Sequence, residues 1–170
     1  MTEARPAAGV LLCLAVALLG ADDPAPEPSP PRPAPSFVND VVPVLTRLGC
    51  NSGSCHGKLA GQNGFKLSLR GFAPELDHIA ITRDARGRRI AKSRPRESLL
   101  LSKPLLLVPH GGGHRLSVGT PEYRTLLAWV AAGCPGPTGT EPAVTGLVIE
   151  PAARTYRPDE SIGLAVRALY

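Results

Sequence analysis

The chain is 170 residues long, enough for one domain and part of another, with 43% hydrophobic residues but only 4% aromatics. Between Ser36 and Pro135, 14 Lys and Arg stand against 6 Asp and Glu; they are not interleaved with aromatics and sit in no nucleic-acid motif, which excludes nucleic acid and favours an acidic protein partner. Few aromatics and 19 prolines fit either a core completed by a buried apolar cofactor or a long non-globular share.

At the N-terminus Arg5 precedes an apolar run from Ala7 to Leu19, then Gly20, Ala21 and two aspartates. A membrane span needs about 20 apolar residues, so residues 1–21 read as a signal peptide cleaved near Ala21. Retained, the same run would serve as a membrane tether. Leu12 is too large to precede a lipidated cysteine, which leaves Cys13 as an ordinary residue of the run. The expected destination is outside the cytoplasm, in the periplasm or at the cell surface. Residues 22–35 have proline at nearly every second position and form an extended, semi-rigid linker.

From Ser36 to Leu48, Phe37, Val41, Val44, Leu45 and Leu48 recur at helical spacing, with a kink or a new start expected at Pro43 and a stop at Gly49. Phe65, Leu67 and Leu69 alternate with polar residues, a short-strand pattern. A short helix is expected over Pro74 to Ile81 with Leu76 and Ile79 inward. A basic loop follows from Arg83 to Arg96, then a helical start at Ser98 that Pro104 ends. The clearest helix runs from Thr120 to Gly133: Thr120 caps it, Pro121 suits its first position, Glu122 suits its dipole, and Tyr123, Leu126, Leu127 and Val130 make one stripe. After a linker at 136–142, Val144 to Ile149 and Ser161 to Tyr170 read as two strands about a turn at Pro158 and Asp159. Two strands do not make a stable domain, so the sequence is expected to stop inside its second one. The fold class expected is therefore mainly α, a small helical domain over 36–135, followed by a partial β segment over 143–170.

The chemistry concentrates at Cys50-Asn51-Ser52-Gly53-Ser54-Cys55-His56-Gly57. Covalent haem attachment needs two thiols for the vinyl groups and an adjacent histidine for the iron. The common motif has two residues between the cysteines; this one has four, all small or turn-forming, which a loop can bulge out while keeping the Cys55-His56 step. Other readings of the same residues are a Cys50–Cys55 disulfide and a zinc site, although no second CxxC pair completes the latter. Cys134 is left over, either buried at a helix end or paired with a motif cysteine. Met1 is the only methionine and belongs to the leader, so a sixth ligand in the mature chain is a second histidine. His110, in Pro109-His110-Gly111-Gly112-Gly113, is the first candidate, His114 the alternative and His78 the third. Arg88 and Arg89 either pair with haem propionates or form a solvated loop.

These residues resemble a known family. FVNDVVPVLTRLGCNSGSCHGKLAGQNGFKLSLRGF, then GRRI, SLLLSKP, VPHGGG and EYRTLLAWVAAG are similar, in order, to the cytochrome c-type domain at the N-terminus of large exported planctomycete proteins. The resemblance covers over half the chain. It implies a cytochrome c-like helical fold and one haem c, with Cys50, Cys55 and His56 as its attachment and ligand residues. Relatives carry an axial methionine where His110 stands. LVIEP and TYRPDESIGLAVRALY resemble the opening strands of a bacterial group 2 immunoglobulin-like (Ig-like) domain. The expected function is single-electron transfer by a bis-His haem iron toward a redox partner protein. One alternative is a non-haem, disulfide-stapled interaction module joined to an Ig-like adhesion domain. Another is a haem enzyme or sensor with an open sixth position. Nothing resembles a hydrolase or transferase site, so an electron-transfer module rather than a stand-alone enzyme is expected, with any further activity in a missing C-terminal region.

Overall fold

The computed structural model describes residues 1, 33–153 and 155–170. The signal-peptide reading of 1–21 and all but the end of the 22–35 linker lie outside the described residues. Among those described, no helix is long and apolar enough to cross a membrane.

Ser36 opens the first helical segment from both sides. Its hydroxyl accepts from the Asn39 amide at 3.1 Å, and its own amide donates to the Asp40 carboxylate at 2.7 Å. The segment begins as a wide π-helical turn, Phe37–Val41, and becomes α1, Val42–Arg47. The change falls one residue before Pro43, which has no amide hydrogen and whose ring needs room against the preceding turn. Gly49, at φ +75°, ends α1 in a Schellman motif: Cys50 N donates to Leu45 O and Gly49 N to Thr46 O.

Two shorter helices follow, α2, Pro74–Thr82, and α3, Leu99–Ser102. The longest is α4, Pro121–Ala131, capped by the Thr120 hydroxyl, which accepts from Tyr123 N at 3.3 Å. Gly133, at φ +86°, closes α4 with the same Schellman pair, Cys134 N to Trp129 O and Gly133 N to Val130 O. Helices α1 and α4 pack together as the sequence pattern implies, with Leu45 and Leu126 in one core and Arg47 paired to Glu122 at 3.4 Å on the rim. Trp129 is fully buried against Phe37, ring centres 5.4 Å apart, and donates its Nε1–H to Pro135 O.

The mainly α expectation is corrected by the structure: only 33% of the described chain is helical and 9% extended, a mixed architecture. The reason is punctuation. Glycine at positive φ, or proline, recurs through the chain, and between the helices the backbone closes on itself in turns rather than repeating. Loop residues such as Leu67 and Leu116 fill the core where further helices would have stood. The alternating Phe65-Leu67-Leu69 stretch is likewise not a strand. Leu67 is buried, but Leu69 is exposed at the start of a 3-10 turn, Leu69–Gly71.

Helix α2 also turns a different face inward. Leu76 and Ile79 are exposed, while Ala80, Ile81 and the Asp77 carboxylate are buried. The buried charge is accommodated by Ser68, whose amide and hydroxyl both donate to Asp77.

Beyond the helices, β1, Gly146–Glu150, and β2, Ala165–Leu169, pair antiparallel with Gly146 opposite Leu169, and Asp159 takes positive φ between them. Almost every strand position is exposed.

Candidate functional site

The site grows from the end of α1. The Schellman turn delivers Cys50, after which the loop folds back: His56 N donates to Cys50 O at 3.0 Å, Cys55 N and Gly57 N both donate to Ser52 O, and Asn51 is buried with its amide on Thr46 Oγ1. Gly53 and Ser54 are exposed, Ser54 also lining the adjoining cavity. The extra residues between the cysteines are thus absorbed as an outward bulge. Gly57 is required, because a Cβ there would stand 2.1 Å from Asn51 O.

Cys50, Cys55, His56, His110, Arg88 and Arg89 all line one cavity of about 330 Å³, inside the range of cofactor sites, roughly 300–1,000 Å³. Its apolar wall comes from Leu45 and Leu48 of α1, Leu99 and Leu100 of α3, Leu126 of α4, and Phe65. Its charged residues are all cations, Arg88, Arg89, Lys103 and Arg115. His114 is exposed and outside the cavity. His78 faces away from it, edge-on to Phe37, with Nε2 on the Cys134 carbonyl at 3.0 Å; it is not the surface residue its short helix implies.

The two cavity histidines are held alike. His56 Nδ1 lies 3.0 Å from Phe65 O, and His110 Nδ1 lies 2.9 Å from Gly113 O. A carbonyl only accepts, so each Nδ1 carries a hydrogen, and the neutral tautomer that fits has its lone pair on Nε2. The ring centres are 6.4 Å apart and the planes differ by 13°. Burial, then the charges of His110, Arg89 and Lys103, hold the His56 imidazole below its ordinary pKa, against the Phe65 hydrogen bond. The neutral, metal-binding form is thereby favoured.

Burial, helped by Cys55 and opposed by Arg115, pushes the Cys50 thiol up to about 11. Cys50, Cys55 and Cys134 are all free, so the cavity cysteines are not bonded to each other. Among the described residues no group of three or more His, Cys, Asp or Glu gathers as a cage for a bare metal ion.

The arginines divide. Arg88 is exposed at the mouth. Arg89 is buried, donates to Ala80 O, Asp84 O and Gly64 O, and stacks over Phe65 at 4.4 Å, so it ties the end of α2, the turn after it and the Gly64 loop together instead of lying in solvent. Burial, then Arg88, lowers its pKa, with Asp84 opposing, but the guanidinium stays charged.

Sequence reasoning missed Phe65, Lys103 and Arg115. The latter two flank the His110 loop as its basic ends; Phe65 had no signal beyond its place in the alternation.

Comparison with protein-family models, curated proteins and solved structures finds no match to the chain. The functional reading rests on the residues themselves.

Proposed function

We propose that the chain is an exported c-type haem module that passes single electrons. The observation that carries this is the histidine pair. His56 and His110 line one cavity with ring centres 6.4 Å apart, and each ring makes its hydrogen bond at Nδ1, which would leave Nε2 of both for a shared metal. The residues present fit the group in three further respects. Two free cysteines line the same cavity, its wall is apolar, and its charged groups match two propionates.

When bound, the group supplies a one-electron iron couple. The chain's own residues hold and tune it. Cys50 and Cys55 would offer the thiols for attachment. His56 and His110 offer two nitrogens, which place the potential lower than a thioether ligand does. The leucines of α1, α3 and α4 exclude water from the buried side, and Arg88, Lys103 and Arg115 offer the mouth to propionates and to an acidic redox partner.

The test is expression with a cytochrome c maturation system, followed by intact mass and a pyridine haemochrome spectrum. The expected result is a mass gain of one haem, a c-type haemochrome and a low-spin spectrum that His110→Ala converts to high-spin. An unchanged apoprotein mass with a Cys50–Cys55 disulfide would overturn the proposal in favour of a non-haem interaction module. A high-spin wild type that takes up carbon monoxide would replace bis-His electron transfer by an open-site sensor or enzyme.

A further inference from the structure

The His110 loop holds three consecutive glycines whose surroundings differ. A Cβ on Gly111 would meet nothing within 4 Å. Gly113 needs glycine for its backbone, at φ +74°. Gly112 has no such backbone need, yet a Cβ there would lie 2.9 Å from His110 Cε1 and 3.1 Å from Nε2, closer than packed atoms allow. The imidazole therefore occupies the space that a side chain at 112 would take.

Other contacts converge on the same arrangement. His110 Nδ1–H donates to Gly113 O at 2.9 Å, which pulls the ring back over its own loop. Gly113 N donates to His110 O at 3.0 Å. The loop is pinned at both sides, by Lys103 Nζ on Pro109 O at 3.0 Å and Arg115 Nε on Gly112 O at 2.8 Å.

We infer that Gly112 is the positioning residue of this site: its missing side chain lets His110 fold back over its own loop, take the Nδ1–H tautomer and keep Nε2 without a hydrogen bond in the cavity that His56 shares. The chemical meaning of that pose, an axial ligand to haem iron, rests on the proposed function; the pose itself does not.

The experiment uses the full chain without haem, labelled with ¹⁵N-histidine, as wild type, Gly111→Ala and Gly112→Ala. Long-range heteronuclear spectra read the tautomer of each ring. Wild type and Gly111→Ala should show His110 as Nδ1–H, whereas Gly112→Ala should shift it to mostly Nε2–H, the form favoured by free imidazole, with His56 unchanged and with the melting curve of wild type. After haem maturation, Gly112→Ala should be partly or wholly high-spin and Gly111→Ala low-spin. A Gly112→Ala chain that keeps the Nδ1–H form at His110 overturns the inference. So does one that loses cooperative unfolding, since Gly112 would then serve the fold and not the histidine. If the matured wild type carries no haem but Gly112→Ala still moves the tautomer, this inference stands and the haem function falls.

Discussion

Helices α1 and α4 end in the same way, yet the residues they deliver have opposite fates. Each closes on glycine at positive φ followed by cysteine, with the same pair of Schellman hydrogen bonds. Cys50 emerges from α1 into a cavity beside two histidines whose Nε2 atoms are unused. Cys134 emerges from α4 into a closed flank, buried, its carbonyl taken by Nε2 of His78, whose ring stands edge-on to Phe37 and Trp129. A local motif sets the backbone and the direction of the next side chain. What decides chemistry is which neighbours the rest of the chain brings there: small polar residues and a glycine-rich loop at one end, large aromatics at the other.

The strongest way to break this contrast is to open the closed flank. Trp129 has no exposed surface, packs on Phe37 and uses its Nε1–H on Pro135 O. Trp129→Ala should cost about 3–5 kcal/mol, a large share of the stability of a domain this size, read as a fall in the urea midpoint. Leu48→Ala, at the half-buried cavity wall, should cost less than half as much in the haem-free chain. Equal losses would mean that the two flanks are packed alike.

A chemical probe sharpens the comparison at the cysteines. Alkylation proceeds through the thiolate. With its pKa raised from 9.0 to about 11, Cys50 at pH 8 should react about a hundredfold more slowly than an ordinary thiol. Cys134, buried and also raised by that burial, should stay unlabelled until the chain unfolds. Iodoacetamide labelling of the haem-free chain, followed by peptide mass spectrometry, reads both rates. Rapid labelling of Cys134 would show that its flank is open; rapid labelling of Cys50 would show that the α1 end is solvated.

The sequence carried the parts of this picture that depend on adjacent residues. The cap at Thr120, the stops at Gly49 and Gly133 and the two paired strands were legible, because each is a local signal with a backbone reason. Cys50, Cys55 and His56 are neighbours in the chain, so their sharing one cavity follows from the motif, and His110 lines the same cavity from a distant loop. The helical share was not legible. Alternation at Phe65-Leu67-Leu69 and helical spacing in α2 each match a regular period, but tertiary contacts chose otherwise: Ser68 turned in to bind Asp77, which rotated Leu76 and Ile79 outward. Arg89 was read as a propionate partner or a solvated residue because nothing local shows that carbonyls of α2, the turn after it and the Gly64 loop converge on it.

The smallest expected effect is a pH dependence that separates the cavity from the rest of the molecule. His56 has already spent its Nδ1–H on Phe65 O, so protonation must occur at Nε2, inside an apolar wall and facing His110, with Arg89 and Lys103 nearby. Its folded pKa therefore lies below the ordinary 6.5, and the unfolded chain takes up that proton first. The resulting stability is fully present above pH 6.5 and is lost as pH falls through the folded pKa. In the haem-free chain the urea midpoint should fall between pH 7 and pH 5, and the fall should be shallower in His56→Leu, which has no proton to take up there. Because the ring is only half-buried, solvent screens the charge and the difference between the two slopes should be modest. Parallel slopes would place the His56 ring in a hydrated setting, and the contrast between a dry cavity and a solvated surface histidine such as His114 would no longer hold.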